Sequence, residues 1–326
     1  MAALPFVVLR ILADGRFHSG EAIARSAGMS RGSVWLAVRE LERRGLDVYR
    51  VRGRGYRLPQ PLFLLERDAI LRYLGGAAGH FSLELLDSVD STNTLLMRRA
   101  ISGAAHATVI VAEHQSGGRG RMGRAWHADV GGALMFSLLW RFEQGAGGLA
   151  GLSLATGVAL ARAFEQLGMA GAVLKWPNYL IWDGAKLAGI LIEMQGDALG
   201  PSFAVIGVGV NVRLNDAVRR RVEQPVADLE SACGRTLDRN EVLAVVLNAL
   251  RGVGEDFSRA GFAPLREEWQ RRHAHQDRMV TLSLPDGSVR CGTARGVAED
   301  GALLVEAEHE VRRYHTGEIS LRPSGQ

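Results

Sequence analysis

The spacing of apolar residues changes twice along this chain, so no single repeating architecture fits all 326 residues. In the first sixty residues the spacing is helical. GEAIARSAG and RGSVWLAVRELERRG read as two helices separated by a short Met29-Ser30 turn, with Ser30 placed to cap the second. The opening run ALPFVVLRILADG reads as a further helix. Val34, Val38 and Leu41 fall at i, i+4 and i+7 and predict the buried face, which leaves Arg31, Trp35 and Arg39 on other faces. YRVRGRGYRL then alternates around Gly53-Arg54-Gly55, the pattern of a hairpin with arginines at its tip. Helix, turn, helix and hairpin together predict a winged helix-turn-helix over 1–60, ended by Pro59-Gln60-Pro61.

From 63 to 268 strands and helices mix. Leu85–Val89, ATVIVAEH, ALMFSLLW, LAGILIEM and SFAVIGVGVNV read as strands. A helix starts at Asp90 or Ser91, LSLATGVALARAFEQLG is a second, and Asp238 with Glu241 opens a third whose stripe includes Val242, Val246 and Val253. Asp183-Gly184 between two apolar runs predicts a hairpin that puts Lys175 and Lys186 on adjacent antiparallel strands. The expected architecture is a mixed sheet with helices on one side. After Gln276 the runs shorten, and Asp286-Gly287 and Asp300-Gly301 predict hairpin turns in a small β-barrel over 277–323. The fold class is therefore α+β and multidomain.

Charge is as uneven as pattern. Residues 1–60 carry eleven arginines against five acids, whereas the whole chain has a net charge of only +4. A polyanion meeting this one module is the partner that distribution predicts, with DNA the expected polyanion. Cys233 and Cys291 lack a nearby Cys partner and suit a reducing cytoplasm. Runs such as ALMFSLLW are far shorter than the roughly 20 residues of a membrane span, so no membrane partner is expected. No metal cage is visible either, since His273 and His275 are too close for a helical pair and read as surface or capping residues.

Chemistry is predicted where lysine survives. The chain has 37 arginines but only two lysines, Lys175 and Lys186, both within LKWPNYLIWDGAKLAGILIEM. A position that stays lysine under such bias suits a compact, mobile point charge better than a planar fork. HQSGGRGRMGRAW at 114–126 joins two predicted strands and sets Arg119, Arg121 and Arg124 among four glycines, a loop able to wrap an anion. It is not a Walker loop, because no Gly-Lys-Ser/Thr follows. Gly207 and Gly209 thin a strand where something approaches its backbone, and Asn211 offers an amide to a base or sugar edge.

DSTN at 90–93, AEHQSGGRGRMGRAW at 112–126, KWPN at 175–178, KLAGILIE at 186–193 and GVGVNV at 207–212 together resemble the bacterial biotin–protein ligases that also serve as biotin operon repressors. The match runs nearly end to end: residues 28–58 are similar to that family's winged helix and the GALLVE stretch to its C-terminal SH3-like barrel. The resemblance implies a class II synthetase-like ligase core and two half-reactions. Biotin and MgATP give biotinyl-5′-adenylate and pyrophosphate, then a lysine of the biotin carrier domain of acetyl-CoA carboxylase takes the biotinyl group. By the same resemblance Ser91, Thr92, Asn93, Gln115, Arg119, Gly120, Arg121, Lys186 and Gly189 hold biotin, and Arg121, Arg124, Trp126, Lys175 and Asn211 hold the nucleotide. Lys186, Arg119 and Arg121 carry the catalysis. Ser30, Arg31, Ser33, Arg39, Arg52 and Arg54 meet operator DNA, with the adenylate favouring a homodimer. Mg²⁺ enters with ATP, and no direct metal ligand is identified.

The chain departs from that family pattern twice. Tyr179 follows KWPN where the family usually has aspartate, and a neutral phenol cannot replace a carboxylate beside a cation or hydrated Mg²⁺. Reduced or lost ligase activity in a biotin-sensing repressor is the alternative this raises; Tyr179→Asp is then expected to speed the first half-reaction. Met122 stands where another arginine is common, which predicts a looser phosphate clamp.

Overall fold

The computed structural model describes residues 4–197, 200–222, 224–283, 288–315 and 320–323. At the N-terminus α1 (Leu4–Leu12), α2 (Gly20–Ser26) and α3 (Arg31–Arg43) enclose a core of its own, in which Phe6, Leu9, Ile23, Val34, Val38 and Leu41 are wholly buried. The Ser19 and Ser30 hydroxyls cap α2 and α3, each accepting an amide bond of 3.0 Å. Strands β1 (Tyr49–Val51) and β2 (Gly55–Arg57) form the wing, with Arg52-Gly53-Arg54 at its tip. Gly55 has a φ of +100°, and a Cβ there would lie 2.1 Å from the His18 carbonyl, so the wing sits directly on the backbone that leads into α2. Arg31, Trp35, Leu36, Arg39, Arg52 and Arg54 are exposed, Arg39 lies over the Trp35 ring and Arg54 over Phe17.

After α4 (Arg67–Leu74) comes a seven-stranded sheet. Its strands are β3 (Ser82–Val89), β4 (Thr108–Gln115), β5 (Ala133–Phe142), β6 (Val173–Lys175), β7 (Tyr179–Trp182), β8 (Ala185–Gly196) and β9 (Ser202–Asn211). They lie in the order β3-β4-β5-β9-β8-β7-β6, and only β3 and β4 run parallel, joined by α5 (Thr92–Ile101). The remaining helices are α6 (Leu152–Gln166), α7 (Asp216–Arg221), α8 (Leu229–Cys233), α9 (Arg239–Ala260) and α10 (Arg266–Arg271).

Strand alternation shows which face meets what. Val109, Val111, Phe136 and Leu138 share the large core with α6 and α9, while Ile110, Leu139 and Val205 point the other way and pack on Leu96 and Ala100 of α5. Helices therefore cover both faces, not one as the sequence predicts. The single short α5 covers only part of its face, and the uncovered part is where the site lies. The Asp183-Gly184 hairpin forms, both residues with positive φ, and joins β7 to β8. Lys175, however, ends β6, so β7 intervenes and the two lysines are not on adjacent strands.

Residues 146–166 are long and apolar enough to cross a membrane by length and composition, but 67% of that stretch is buried inside the fold, where α6 packs on α9 and the sheet. The buried pair Arg239–Glu113, 2.7 Å apart and at most 2% exposed, fastens the segment entering this unit. Arg239 also donates to the carbonyls of Phe63 and Ala133, and Glu113 accepts the Leu65 amide. Every charge is thus bonded where water is absent.

Strands β10 (Met279–Ser283), β11 (Val289–Val297), β12 (Leu303–Ala307), β13 (Glu310–Tyr314) and β14 (Ser320–Pro323) form an antiparallel sheet, ordered β13-β12-β11-β10-β14. Asp300-Gly301 turns β11 into β12, while Asp286-Gly287 lies outside the described residues. The Trp176 indole donates to the Gly301 carbonyl at 3.1 Å and ties this unit to the turn between β6 and β7. His273 and His275 are not surface residues as expected: they are 6% and 7% exposed, because His273 packs on Trp269 at 4.6 Å.

One buried carboxylate stands out. Asp129 is 8% exposed and abuts Gly45, just beyond α3. Burial pushes it up to about 6, against the pull of Arg221 and a hydrogen bond from Asn215. A carboxyl whose folded value lies above its unfolded one costs stability once pH rises past both values, and none below the unfolded value. Asp129→Asn is therefore expected to raise the melting temperature at pH 7, with the gain vanishing below about pH 4. Melts of both proteins across that range check it.

Candidate active site

Three glycines on the uncovered face set the shape of the site. Gly209 pairs with Gly189 across β9 and β8, and Gly207 lies two residues away on the same face. A Cβ at 207 would meet Asn93 Oδ1 at 2.2 Å, and one at 209 would meet the Trp126 ring at 2.6 Å. The strand is thinned because Asn93 and Trp126 press onto its backbone.

At one end of the cavity a polar network is fixed by the start of α5. Ser91 caps the helix, its hydroxyl accepting from Thr94 N. Gln115 Oε1 accepts from the Thr92 amide at 2.7 Å and from its hydroxyl at 3.1 Å. Ser137 Oγ, wholly buried, donates within reach of Thr92 Oγ1 at 2.8 Å and Asn93 Oδ1 at 2.5 Å. The Asn93 amide donates to Glu193 Oε2 at 3.0 Å, and the same carboxylate holds Arg119 at 2.9 Å.

The glycine-arginine loop between β4 and β5 covers the cavity as a small hairpin. Arg119 and Ala125 form a bridge, Gly120 N donates to Arg124 O at 2.7 Å, and Trp126 N donates to Gly118 O. Met122 and Gly123 turn the tip with φ of 56° and 72°. Arg121 and Arg124 line the cavity, Arg124 at its exposed rim, whereas Met122 is 75% exposed and does not line it. Burial depresses the Arg121 guanidinium, opposed by Tyr179.

Lys186 enters from β8. A bulge there sets Ile181 against Lys186 while Leu180 faces Ala188, so Lys186 comes onto the cavity side with Gly189. Its Nζ lies 3.9 Å from the Tyr179 ring centroid and 5.3 Å from that of Trp126. Burial, with repulsion from Arg124 and Lys175, pushes the ammonium down to about 8.

Ser91, Thr92, Asn93, Gln115, Arg119, Gly120, Arg121, Arg124, Trp126, Lys186 and Gly189 thus line one cavity, with Tyr179 and Gln224. Lys175 and Asn211 do not line it. Lys175 is close enough to repel Lys186 and His275, and Asn211 Nδ2 donates to the carbonyls of Lys186 and Ala227. Ser30, Arg31, Ser33, Arg39, Arg52 and Arg54 lie on the N-terminal module, with Ser30 and Ser33 engaged in capping α3. Glu193 and Ser137 escape the sequence reading, although counting by twos from Gly189 puts Glu193 on the cavity face and a lone hydroxyl in ALMFSLLW demands a partner. Among the described residues no aspartate or glutamate lines the cavity, and no cluster of three His, Cys, Asp or Glu could hold a metal.

This arrangement has relatives. The chain is 37% identical over 319 residues to the bifunctional ligase/repressor BirA of Escherichia coli (strain K12), covering 98% of this chain and 97% of that protein. The chain belongs to the biotin/lipoate A/B protein ligase family. That family's model matches residues 85–211, the biotin protein ligase C-terminal domain matches 275–322, and an HTH domain matches 6–57. A second family member, the biotin--[acetyl-CoA-carboxylase] ligase of Mycobacterium tuberculosis, is 31% identical over 74% of this chain and 89% of its own. Among solved structures of the family, the Aquifex aeolicus biotin protein ligase in complex with biotin and ATP aligns with a TM-score of 0.64 and 28% identity, covering 74% of this chain and 99% of that one.

Because Asn93 is buried and hydrogen-bonded where a Cβ at 207 would lie, Gly207→Ala is expected to destabilise the chain by about 1–3 kcal/mol, as an overpacked core does. Equilibrium denaturation measures this, and Gly147→Ala, whose Cβ would meet nothing within 4 Å, serves as the comparison.

Proposed function

We propose that the chain joins biotin to ATP as biotinyl-5′-adenylate, passes the biotinyl group to a lysine of the biotin carrier domain of acetyl-CoA carboxylase, and represses transcription through its N-terminal module. The observation that carries this is the convergence of Arg121, Arg124 and Lys186 on one glycine-thinned cavity with a bonded polar network at its other end. Thr92, Asn93 and Gln115 suit the ureido ring, which needs fixed donors and acceptors in an apolar pocket. The carboxylate of biotin then points toward the cations.

In the first step a carboxylate oxygen attacks the α-phosphorus, and the bond to pyrophosphate breaks in line. Negative charge gathers on oxygens surrounded by Lys186, Arg119 and Arg121, which lower the barrier by standing ready before charge develops. Trp126 and Arg124 flank the nucleotide half. In the second step the carrier amine attacks the acyl carbon and AMP leaves. The residues present do not fit a protein-held Mg²⁺ site, so Mg²⁺ is supplied as the complex of ATP. Biotinyl-adenylate favours a homodimer that sets two winged helices on two operator half-sites, in the cytoplasm.

Pyrophosphate release on mixing with biotin and ATP is the direct test. Lys186→Ala removes about 2–3 kcal/mol of charge stabilisation, roughly 30- to 150-fold in the single-turnover rate. Arg25→Ala, on the exposed face of α2, stays within about twofold. Biotin binding without pyrophosphate release would leave a sensor and no ligase.

A further inference from the structure

Among the described residues, Lys186 is held in a place that offers it no anion. The charged and titratable groups facing it are Arg121 and Arg124 of the loop, Lys175 at the end of β6, and Tyr179 of β7. Glu193, farther along β8, is taken by Arg119 and Asn93. Every ionic neighbour among the described residues therefore repels the ammonium, and burial strips its water. Two ring faces attract it. Tyr179 pairs with Gly189 across β7 and β8, so its ring lies on the same face. Lys186 folds back over that glycine, where a Cβ would sit 3.4 Å from its Cε. The resulting 3.9 Å to the Tyr179 centroid, and 5.3 Å to Trp126, are both inside the roughly 6 Å over which an aromatic face attracts a cation.

We propose that Tyr179 is a positioning residue whose ring face holds the Lys186 ammonium, charged, over the cavity. A carboxylate at this place would pair with the ammonium and cancel much of its charge, so Tyr179→Asp is expected to slow adenylation here, the reverse of what the family pattern alone suggests. A neutral ring holds it without cancelling, which leaves the full charge for the carboxyl and phosphoryl oxygens. Tyr179 is thus more than the site of a missing acid. The inference rests on Lys186 acting in adenylation as proposed above.

The test follows single-turnover adenylate formation by the full-length chain across pH 6–10. Tyr179→Phe keeps the ring and is expected to stay within about threefold of the unaltered chain, its alkaline limb at the same pH. Tyr179→Leu keeps bulk but loses the ring. Its rate is expected to fall roughly tenfold with KM for biotin changed less than about twofold, and its alkaline limb to move down by roughly one pH unit. Should Tyr179→Leu fold poorly, phenylalanine analogues carrying one, two or three fluorines at 179 weaken the ring face at nearly constant shape. The alkaline limb then falls stepwise with fluorination. A limb that stays put through the fluorinated series, or Tyr179→Leu and Tyr179→Phe behaving alike, overturns the assignment. Lys186→Ala separates the two ideas: if it leaves adenylation unimpaired, the reading of Lys186 itself fails. If it is slow while the fluorinated series is flat, only the role of Tyr179 fails.

Discussion

The site depends on a single steric constraint, that β8 and β9 carry no side chain at 189, 207 and 209. Each glycine is filled by a particular group: Lys186 and Trp126 over 189, Asn93 over 207 and the Trp126 indole over 209. Were any of them to carry a Cβ, the loop, the start of α5 and the lysine would lose their common floor. Glycine is normally a weakness within a strand. Here the neighbours on either side compensate, since β9 is flanked along its length by β5 and β8.

A second constraint operates on the opposite face. The Arg239–Glu113 pair joins α9, β4, β5 and the segment at 63–65 through bonds that are all out of water. Glu113 lies two residues before Gln115, so the ion pair pins the same strand whose end presents Gln115 to the polar network. Removing one partner would leave a buried charge unpaired, a far larger loss than breaking an exposed bridge. The same strand leads straight into the glycine-arginine loop. Position in the sheet, buried pairing and loop placement are thus consequences of a few consecutive residues.

Much of this was legible in the sequence because it is local. Helix caps at Ser30, Ser91 and Asp238, the Asp183-Gly184 turn and the alternation in ALMFSLLW each depend on residues a few positions apart. Which strand lies beside which does not. Lys175 and Lys186 are separated by β7, and α5 lies on the face opposite α6 and α9, because those placements follow from long-range packing. The approach of something to Gly207 and Gly209 could be read from their spacing, yet the visitors, Asn93 and Trp126, lie far off in sequence. The bonds of Asn211 were hidden for the same reason: an amide at a strand end looks fully available until its nitrogen is seen to donate to two carbonyls. His273 and His275 misled because polarity alone says little of burial.

The central claim is that one cavity brings the cations of the loop and the ammonium of β8 onto the bond being made. A crystal structure of the chain with a non-hydrolysable biotinyl-adenylate analogue measures it most directly. The account predicts the Lys186 ammonium and the Arg121 guanidinium both within hydrogen-bonding distance of the analogue's linkage between acyl group and phosphate. The analogue lodged outside this cavity, or Lys186 turned away from that linkage, would contradict it.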